Sequence, residues 1–176
     1  MNFKETEIQG LYLVDLQQIS DDRGFFARAF CKEEFAEIGL ESEVLQANMS
    51  FSKNAGTLRG MHYQKNPYQE TKLIRCIRGS IYDVVIDLRK DSPSYGDWYG
   101  VELNDKNRTA LMVPKDFAHG FITLQDDTEV MYLVSQSYVP GAEMGIRWND
   151  PRFAISWPVE PTVISSKDAE LVNFND

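Results

Sequence analysis

From Leu11 to Val139 the chain is cut into short stretches rich in Val, Ile, Leu, Tyr and Phe, each closed by turn residues after a few positions. LYLVDL, EVLQANMSF, TLRGMHYQ, KLIRCIRG, SIYDVVIDLR, WYGVEL, TALMVP, GFITL and EVMYLVSQSYV follow one another. The breaks between them hold Asn54-Ala55-Gly56, Ser92-Pro93, Asn104-Asp105 and Asp126-Asp127. β-Branched and aromatic side chains favour extended backbone and Gly, Pro, Asn and Asp punctuate it, so this rhythm predicts many short strands in a sandwich or barrel. Only KEEFAEIGL, 32–40, predicts a helix: acids lead, Phe35, Ile38 and Leu40 fall on one side, and Gly39 marks the stop. The expected fold is mainly β, a jelly roll or barrel with a few short helices. GIRWNDPRFAISWPVEP, near the C-terminus, is too apolar for a free tail. From about 141 the chain is therefore expected to pack on the barrel, within one domain spanning 1–176.

A chain of 176 residues can bury a core without disulfide or metal staples. Its 18 Lys and Arg against 27 Asp and Glu give a formal charge of −9. That argues against nucleic-acid binding, which wants a basic face, and an anionic ligand would need a local basic pocket. No apolar run approaches the ~20 residues that cross a bilayer, and MNFKETEIQG lacks the apolar centre of a signal peptide. The expectation is a cytoplasmic protein with no membrane partner. Cys31 and Cys76 are too few for a disulfide framework and are expected as buried free thiols.

The chemistry concentrates around the chain's two histidines, His62 in TLRGMHYQ and His119 in VPKDFAHGF. GTLRGMHYQ, ETKLIRCIRG and VPKDFAHGF together resemble the paired strand motifs of the cupin barrel, a double-stranded β-helix. In metal-binding cupins the first motif supplies His-x-His and a Glu, and the second another His. Here the second position of the pair is Gln64, whose neutral amide competes poorly for transition metals. His62, Glu70 and His119 leave a three-ligand site open. The reading favoured here has no metal and no cofactor, with an imidazole that gives and takes protons near neutrality. Strict alternation would send Arg59 and His62 to opposite faces of their strand. Gly60 between them offers a bulge that re-aims the side chains after it; alternatively, Arg59 reaches a different subunit's pocket.

DDRGFFARAF, QANMSFS, GTLRGMHYQ, KLIRCIRGSIYDVVIDLR, SPSYGDWYGVEL, VPKDFAHGF, EVMYLVSQSYVP, GIRWNDPRFAISWP and ISSKDA occur in one order, from about residue 3 to 170. In that order they resemble the dTDP-4-dehydrorhamnose 3,5-epimerase family, cupin-fold nucleotide-sugar epimerases. The resemblance implies that a 4-keto-6-deoxy sugar on a nucleoside diphosphate loses a proton beside the ketone and regains one on the opposite face. By the same resemblance His62 is the base, Asp168 its carboxylate partner, Tyr132 the acid across the sugar, and Lys72 the cation at the ketone oxygen. Arg23 and Arg59 would hold the diphosphate, Phe26 the nucleotide end, and Gln46, Asn48, His119 and Tyr138 further parts of the substrate. It also implies a homodimer with an exchanged N-terminal segment, so that residues near Arg23 and Phe26 complete the partner's site.

Three positions depart from the family pattern: Arg28 stands for the Glu of RGFFxE, Leu133 for the Lys after the tyrosine, and Met49 for the His of QDNHS. The base, acid and lysine are unaffected. Epimerisation at C-3 alone and 3,4-keto isomerisation need the same base and remain rival reactions on this scaffold. A metal-dependent cupin enzyme and a non-catalytic sugar-binding cupin are the rivals from other classes.

Overall fold

Alternation of apolar and polar side chains turns most of the chain into strands that bury one face, and two such surfaces close on each other. The computed structural model describes residues 1–175; Asp176, the end of the expected domain, lies outside the described residues. The strands are β1 (Asn2–Glu5), β2 (Tyr12–Asp15), β3 (Ile19–Asp21), β4 (Gly24–Phe26), β5 (Gln46–Ser52), β6 (Thr57–Gln64) and β7 (Lys72–Arg78). They continue with β8 (Ser80–Asp87), β9 (Trp98–Asn104), β10 (Ala110–Val113), β11 (Phe117–Thr123), β12 (Thr128–Val134), β13 (Glu143–Gly145) and β14 (Val163–Ile164). One six-stranded sheet runs β1-β2-β10-β7-β12-β5; the other runs β13-β6-β11-β8-β9, with β14 added to β6. β3 and β4 form a separate hairpin. The result is the expected mainly β jelly roll.

Three apolar layers hold it. Ile74, Cys76, Ile81, Val85, Leu103, Leu111, Phe117 and Val130, drawn from both sheets, fill the interior. Outside the first sheet, α1 (Lys32–Glu37) buries Phe35 against Val14, Leu73, Ala110 and Met112. Outside the second, Ile146, Phe153, Ile155, Trp157 and Phe174 from the C-terminal segment pack on Met61, Val84, Ile86 and Ala118. No helix among the described residues is long and apolar enough to cross a membrane.

Local differences from the sequence expectations have local causes. The helix stops at Glu37 rather than at 40, because Gly39 adopts φ +77. The N–H of Gly39 bonds Ala36 O at 3.0 Å and that of Leu40 bonds Phe35 O at 3.0 Å, while Leu40 packs in Phe35's cluster. This is a Schellman ending, which satisfies the last carbonyls without another helical turn. A second helix, α2 (Ser166–Ala169), was not expected. Ser165 caps it by accepting the N–H of Asp168 at 3.1 Å, so Ser-Ser-Lys-Asp was the signal. EVMYLVSQSYV is strand only to Val134, EVLQANMSF only from Gln46, and GFITL begins earlier, at Phe117. The short strands β1, β3, β4, β13 and β14 lack the longer apolar run that marks the others. Both cysteines are free, but Cys31 is only half-buried, because it sits at the exposed start of α1 rather than in a core strand.

Gly60 shows the expected departure from alternation. Its φ is +113, the Gly60–Met61 peptide is cis, and the β6–β11 register slips between His119 and Phe121. A Cβ at Gly60 would lie 2.7 Å from Gly120 Cα and 2.7 Å from His119 O, so no other residue fits this crossing. Beyond it Met61 enters the outer apolar layer, and Arg59 and His62 line the same cavity.

Candidate active site

Each wall of that cavity is the polar end of a strand whose other end is core. On β7, Lys72 precedes the buried Ile74 and Cys76; on β12, Tyr132 follows Val130; on β11, His119 stands between Phe117 and Phe121. β5 turns Gln46, Asn48 and Ser50 inward, whereas Ala47, Met49 and Phe51 are exposed. Two lobes result. One of about 480 Å³ is lined by Ser50, Arg59, Phe121, Ile164 and Lys167 among others. The other, of about 320 Å³, is lined by Gln46, Asn48, Gln64, Glu70, Tyr138 and Glu143. His62, Lys72 and Tyr132 belong to both and mark the junction.

At the junction His62 Nε2 lies 2.7 Å from Asp168 Oδ1, joining residues 106 positions apart. The carboxylate accepts Nε2–H, which leaves the Nδ1 lone pair free to receive a proton. α2 carries Asp168 into the barrel, and its other oxygen accepts the Gly60 N–H at 3.2 Å. Burial pushes the Asp168 carboxyl up, but the His62 hydrogen bond and charge, with the Gly60 N–H, outweigh it and hold the group below its ordinary range. The aspartate therefore stays anionic and can stabilise an imidazolium.

Lys72 Nζ pairs with Glu70 Oε1 at 3.0 Å, with both side chains nearly buried. Tyr132 is half-buried. Desolvation raises its pKa, as does the charge of Glu70, while Arg59 acts in the opposite sense. The phenol thus keeps its proton at neutral pH and can deliver it to a strong base such as a carbanion. Arg59 is tethered to β5 through Ser52 Oγ (3.2 Å) and Phe51 O (2.9 Å), with its guanidinium at the first lobe. Lys167 ion-pairs with Glu143, whose carboxylate also accepts the Tyr138 hydroxyl at 3.4 Å. Arg59, Lys72 and Lys167 supply the local basic groups that an anionic ligand needs in so acidic a chain.

Nine of the eleven expected site residues, His62, Tyr132, Asp168, Lys72, Gln46, Asn48, Arg59, His119 and Tyr138, line the two lobes. Arg23 and Phe26 do not. They sit on the β3–β4 hairpin, Phe26 70% exposed and Arg23 paired with Asp21, outside this chain's own cavity. Sequence reasoning missed Asp83, which is fully buried and lies 2.7 Å from His119 Nε2 through Oδ1. A single acid inside the apolar run SIYDVVID was the available signal, since a buried carboxylate needs a partner. His62 and His119 face each other in the β6–β11 register, so two His–Asp pairs meet at one cavity. Lys167 and Glu143 were missed as well, because nothing local distinguishes them from solvated surface charges.

A profile of the family described as dTDP-4-dehydrorhamnose 3,5-epimerase matches residues 5–176. The dTDP-4-dehydrorhamnose 3,5-epimerase of Shigella flexneri is 41% identical over 177 residues, covering 100% of this chain and 97% of its own. This chain belongs to the dTDP-4-dehydrorhamnose 3,5-epimerase family. That of Methanothermobacter thermautotrophicus is 43% identical, covering 94% of this chain and 90% of its own. Among solved structures, the Bacillus anthracis epimerase with TDP and PPi bound superposes with a TM-score of 0.95 at 43% identity, covering 98% of this chain and 99% of that one. Family membership makes the chain an isomerase of the epimerase type with a cupin fold. The cavity built above is the place in the fold where such chemistry has its groups.

Proposed function

We propose that this chain inverts C-3 and C-5 of a nucleotide-diphospho-4-keto-6-deoxy-hexose, with dTDP-4-dehydro-6-deoxyglucose going to dTDP-4-dehydrorhamnose. The observation that carries the reading is the His62–Asp168 pair at the junction of the two lobes, with Tyr132 and Lys72 lining the same junction. His62 Nδ1 takes the proton from the carbon beside the ketone. Asp168 stabilises the imidazolium, and the nearly buried Lys72 ammonium stabilises the enolate oxygen. Tyr132 returns a proton to the opposite face, and His119, oriented by Asp83, hydrogen-bonds the substrate. Because both carbons flank one ketone, the same base and acid serve each in turn, once solvent has taken the proton from His62 and returned one to Tyr132. The chain's own residues supply every proton transfer, which supports a reaction without a metal or other cofactor.

The two lobes fit the two ends of such a substrate, the sugar toward the first and the nucleoside toward the second, with the diphosphate that links them crossing the junction, where the charge of Arg59 reaches Tyr132. Arg59 suits a diphosphate, since a guanidinium fork matches phosphate oxygens. The second lobe, with the exposed ring of Tyr138 beside the amides of Gln46 and Asn48, suits a nucleobase, which stacks and hydrogen-bonds at once. Proton NMR in heavy water tests the chemistry. Turnover of dTDP-4-keto-6-deoxyglucose is expected to place deuterium at both C-3 and C-5; label at C-3 alone would make this a C-3 epimerase, and movement of the carbonyl a keto isomerase. Comparison with the CDP and GDP sugars tests the choice of base.

The active species in this reading is a homodimer in which the β3–β4 hairpin completes the neighbouring copy's site. Its support is the exposure of Ile19, Phe25 and Phe26 on a hairpin that also presents Arg23, away from its own chain's cavity. Mixing Arg23→Ala and His62→Ala chains tests it: each variant alone should be nearly inactive and a mixed dimer should restore one complete site, whereas an Arg23→Ala chain active by itself would overturn the exchange. A cytoplasmic location follows from the same reading, since nucleotide sugars are assembled from nucleoside triphosphates held inside the cell.

A further inference from the structure

In the linear sequence Gln64 stands out only as the residue that weakens a metal site. In the folded chain the residue is 5% exposed and both ends of its amide are engaged. Its Oε1 accepts the N–H of Val139 at 2.9 Å, and its Nε2 donates to Ser137 O at 3.3 Å. One side chain thus grips the backbone on both sides of Tyr138. A second glutamine closes the grip, because Gln46 Oε1 accepts the N–H of Tyr138 itself at 3.0 Å. The grip matters because β12 ends at Val134 and the last rung beyond it is the Ser135 N–H to Thr71 O at 3.1 Å, so residues 136–139 lie past the ladder, over the second lobe. Among the described residues the phenol hydroxyl donates to Glu143 at 3.4 Å, a long bond, and the ring is 58% exposed.

We propose that Gln64, with Gln46, is a positioning residue that clamps residues 137–139 and holds the Tyr138 ring as a preformed platform for the nucleoside end of the substrate. This rests on the reading that the second lobe takes that end. An aromatic ring already held in its binding geometry loses no conformational freedom when a base stacks on it. The amide suits the task where no other side chain at position 64 would. It is one acceptor and one donor on a planar group, matching one N–H and one C=O two residues apart; a carboxylate lacks the donor, and an aliphatic chain lacks both. Gln64 lies two residues from His62 on one strand, so the motif that holds the base also sets the far end of the ligand.

Gln64→Leu keeps the side chain's volume and removes both hydrogen bonds. TDP binding by calorimetry should weaken roughly ten-fold, as loss of one or two buried hydrogen bonds predicts, and KM for the nucleotide sugar should rise similarly while kcat stays within about two-fold. The deciding measurement is a double-mutant cycle with Tyr138→Ala. If Gln64 acts through the tyrosine, Gln64→Leu costs nothing further in the Tyr138→Ala background. Equal losses in both backgrounds, or a fall in kcat with KM unchanged, would overturn the clamp. Should Gln64→Leu fail to fold, Gln64→Glu, which keeps the acceptor for Val139 N–H and removes only the donor to Ser137 O, must show the same non-additivity. TDP affinity unchanged in Tyr138→Ala would instead refute the placement of the nucleoside in the second lobe. Weakening in Tyr138→Ala but not in either glutamine variant would refute the clamp alone.

Discussion

The interior of this barrel has a packed end and a hollow end, and the same strands build both. β7 contributes Ile74 and Cys76 to the packed end and Lys72 to the hollow one; β12 contributes Val130 and then Tyr132. At the packed end the side chains are aliphatic, buried and in mutual contact, and their environment drives the Cys76 thiol up to about 12, leaving it inert. At the hollow end the imidazoles are only partly buried while Asp83 and Asp168 behind them are buried, and the charged groups have a counter-charge or a tether: His62 with Asp168, His119 with Asp83, Lys72 with Glu70, Arg59 with the β5 backbone. A cavity lined by charges survives because half of each strand is anchored in a dry core that has no reason to rearrange. Stability and chemistry are divided along the strand rather than between domains.

The largest expected effect breaks the hollow end alone. His62→Ala should reduce solvent deuterium exchange into the 4-keto sugar on the order of 10³-fold while leaving thermal unfolding close to that of the parent. Substantial exchange in that variant would reassign the base. Leu111→Ala addresses the packed end. It should lower the free energy of unfolding in urea by about 2–5 kcal/mol, with kcat retained well below the new melting temperature. A kinetic defect there would mean the two ends are not independent. Tyr132→Phe should slow formation of inverted product roughly 10²-fold yet preserve exchange at the first carbon, separating abstraction from delivery.

The smallest effect concerns pH. The folded pKa of Asp168 is depressed below its ordinary 3.8, so its contribution to stability is complete above the unfolded value and is lost as pH falls through the folded one. Urea midpoints followed from neutrality down through the carboxylate range should show a steeper acid loss for the parent than for Asp168→Asn. Parallel curves would mean that the aspartate is not held as an anion by the fold.

The alternation QANMSFS already separated a polar face from an apolar one, though not which of them points inward, and VPKDFAHGF and TLRGMHYQ already carried imidazoles where aliphatic residues belong. Asp83 and α2 were also legible, as a lone acid in an apolar strand and as a serine cap, although both were overlooked. Lys167 and Glu143 were not legible at all, because their place at the cavity depends on where β13 and the C-terminal segment settle on β6.

By itself the sequence determined the strand rhythm, the mainly β class, and at Gly60 a residue that permits a departure from alternation. These features come from backbone preference and side-chain period, which act over a few residues. Only the tertiary structure decided that Asp168 meets His62 across 106 positions, that His119 rests on Asp83, that Arg23 and Phe26 stand outside this chain's own cavity, and that Gln64 grips the Tyr138 segment. Such contacts depend on which strands pair and where register slips. That is settled by burying three apolar layers at once, and no local stretch of residues records it.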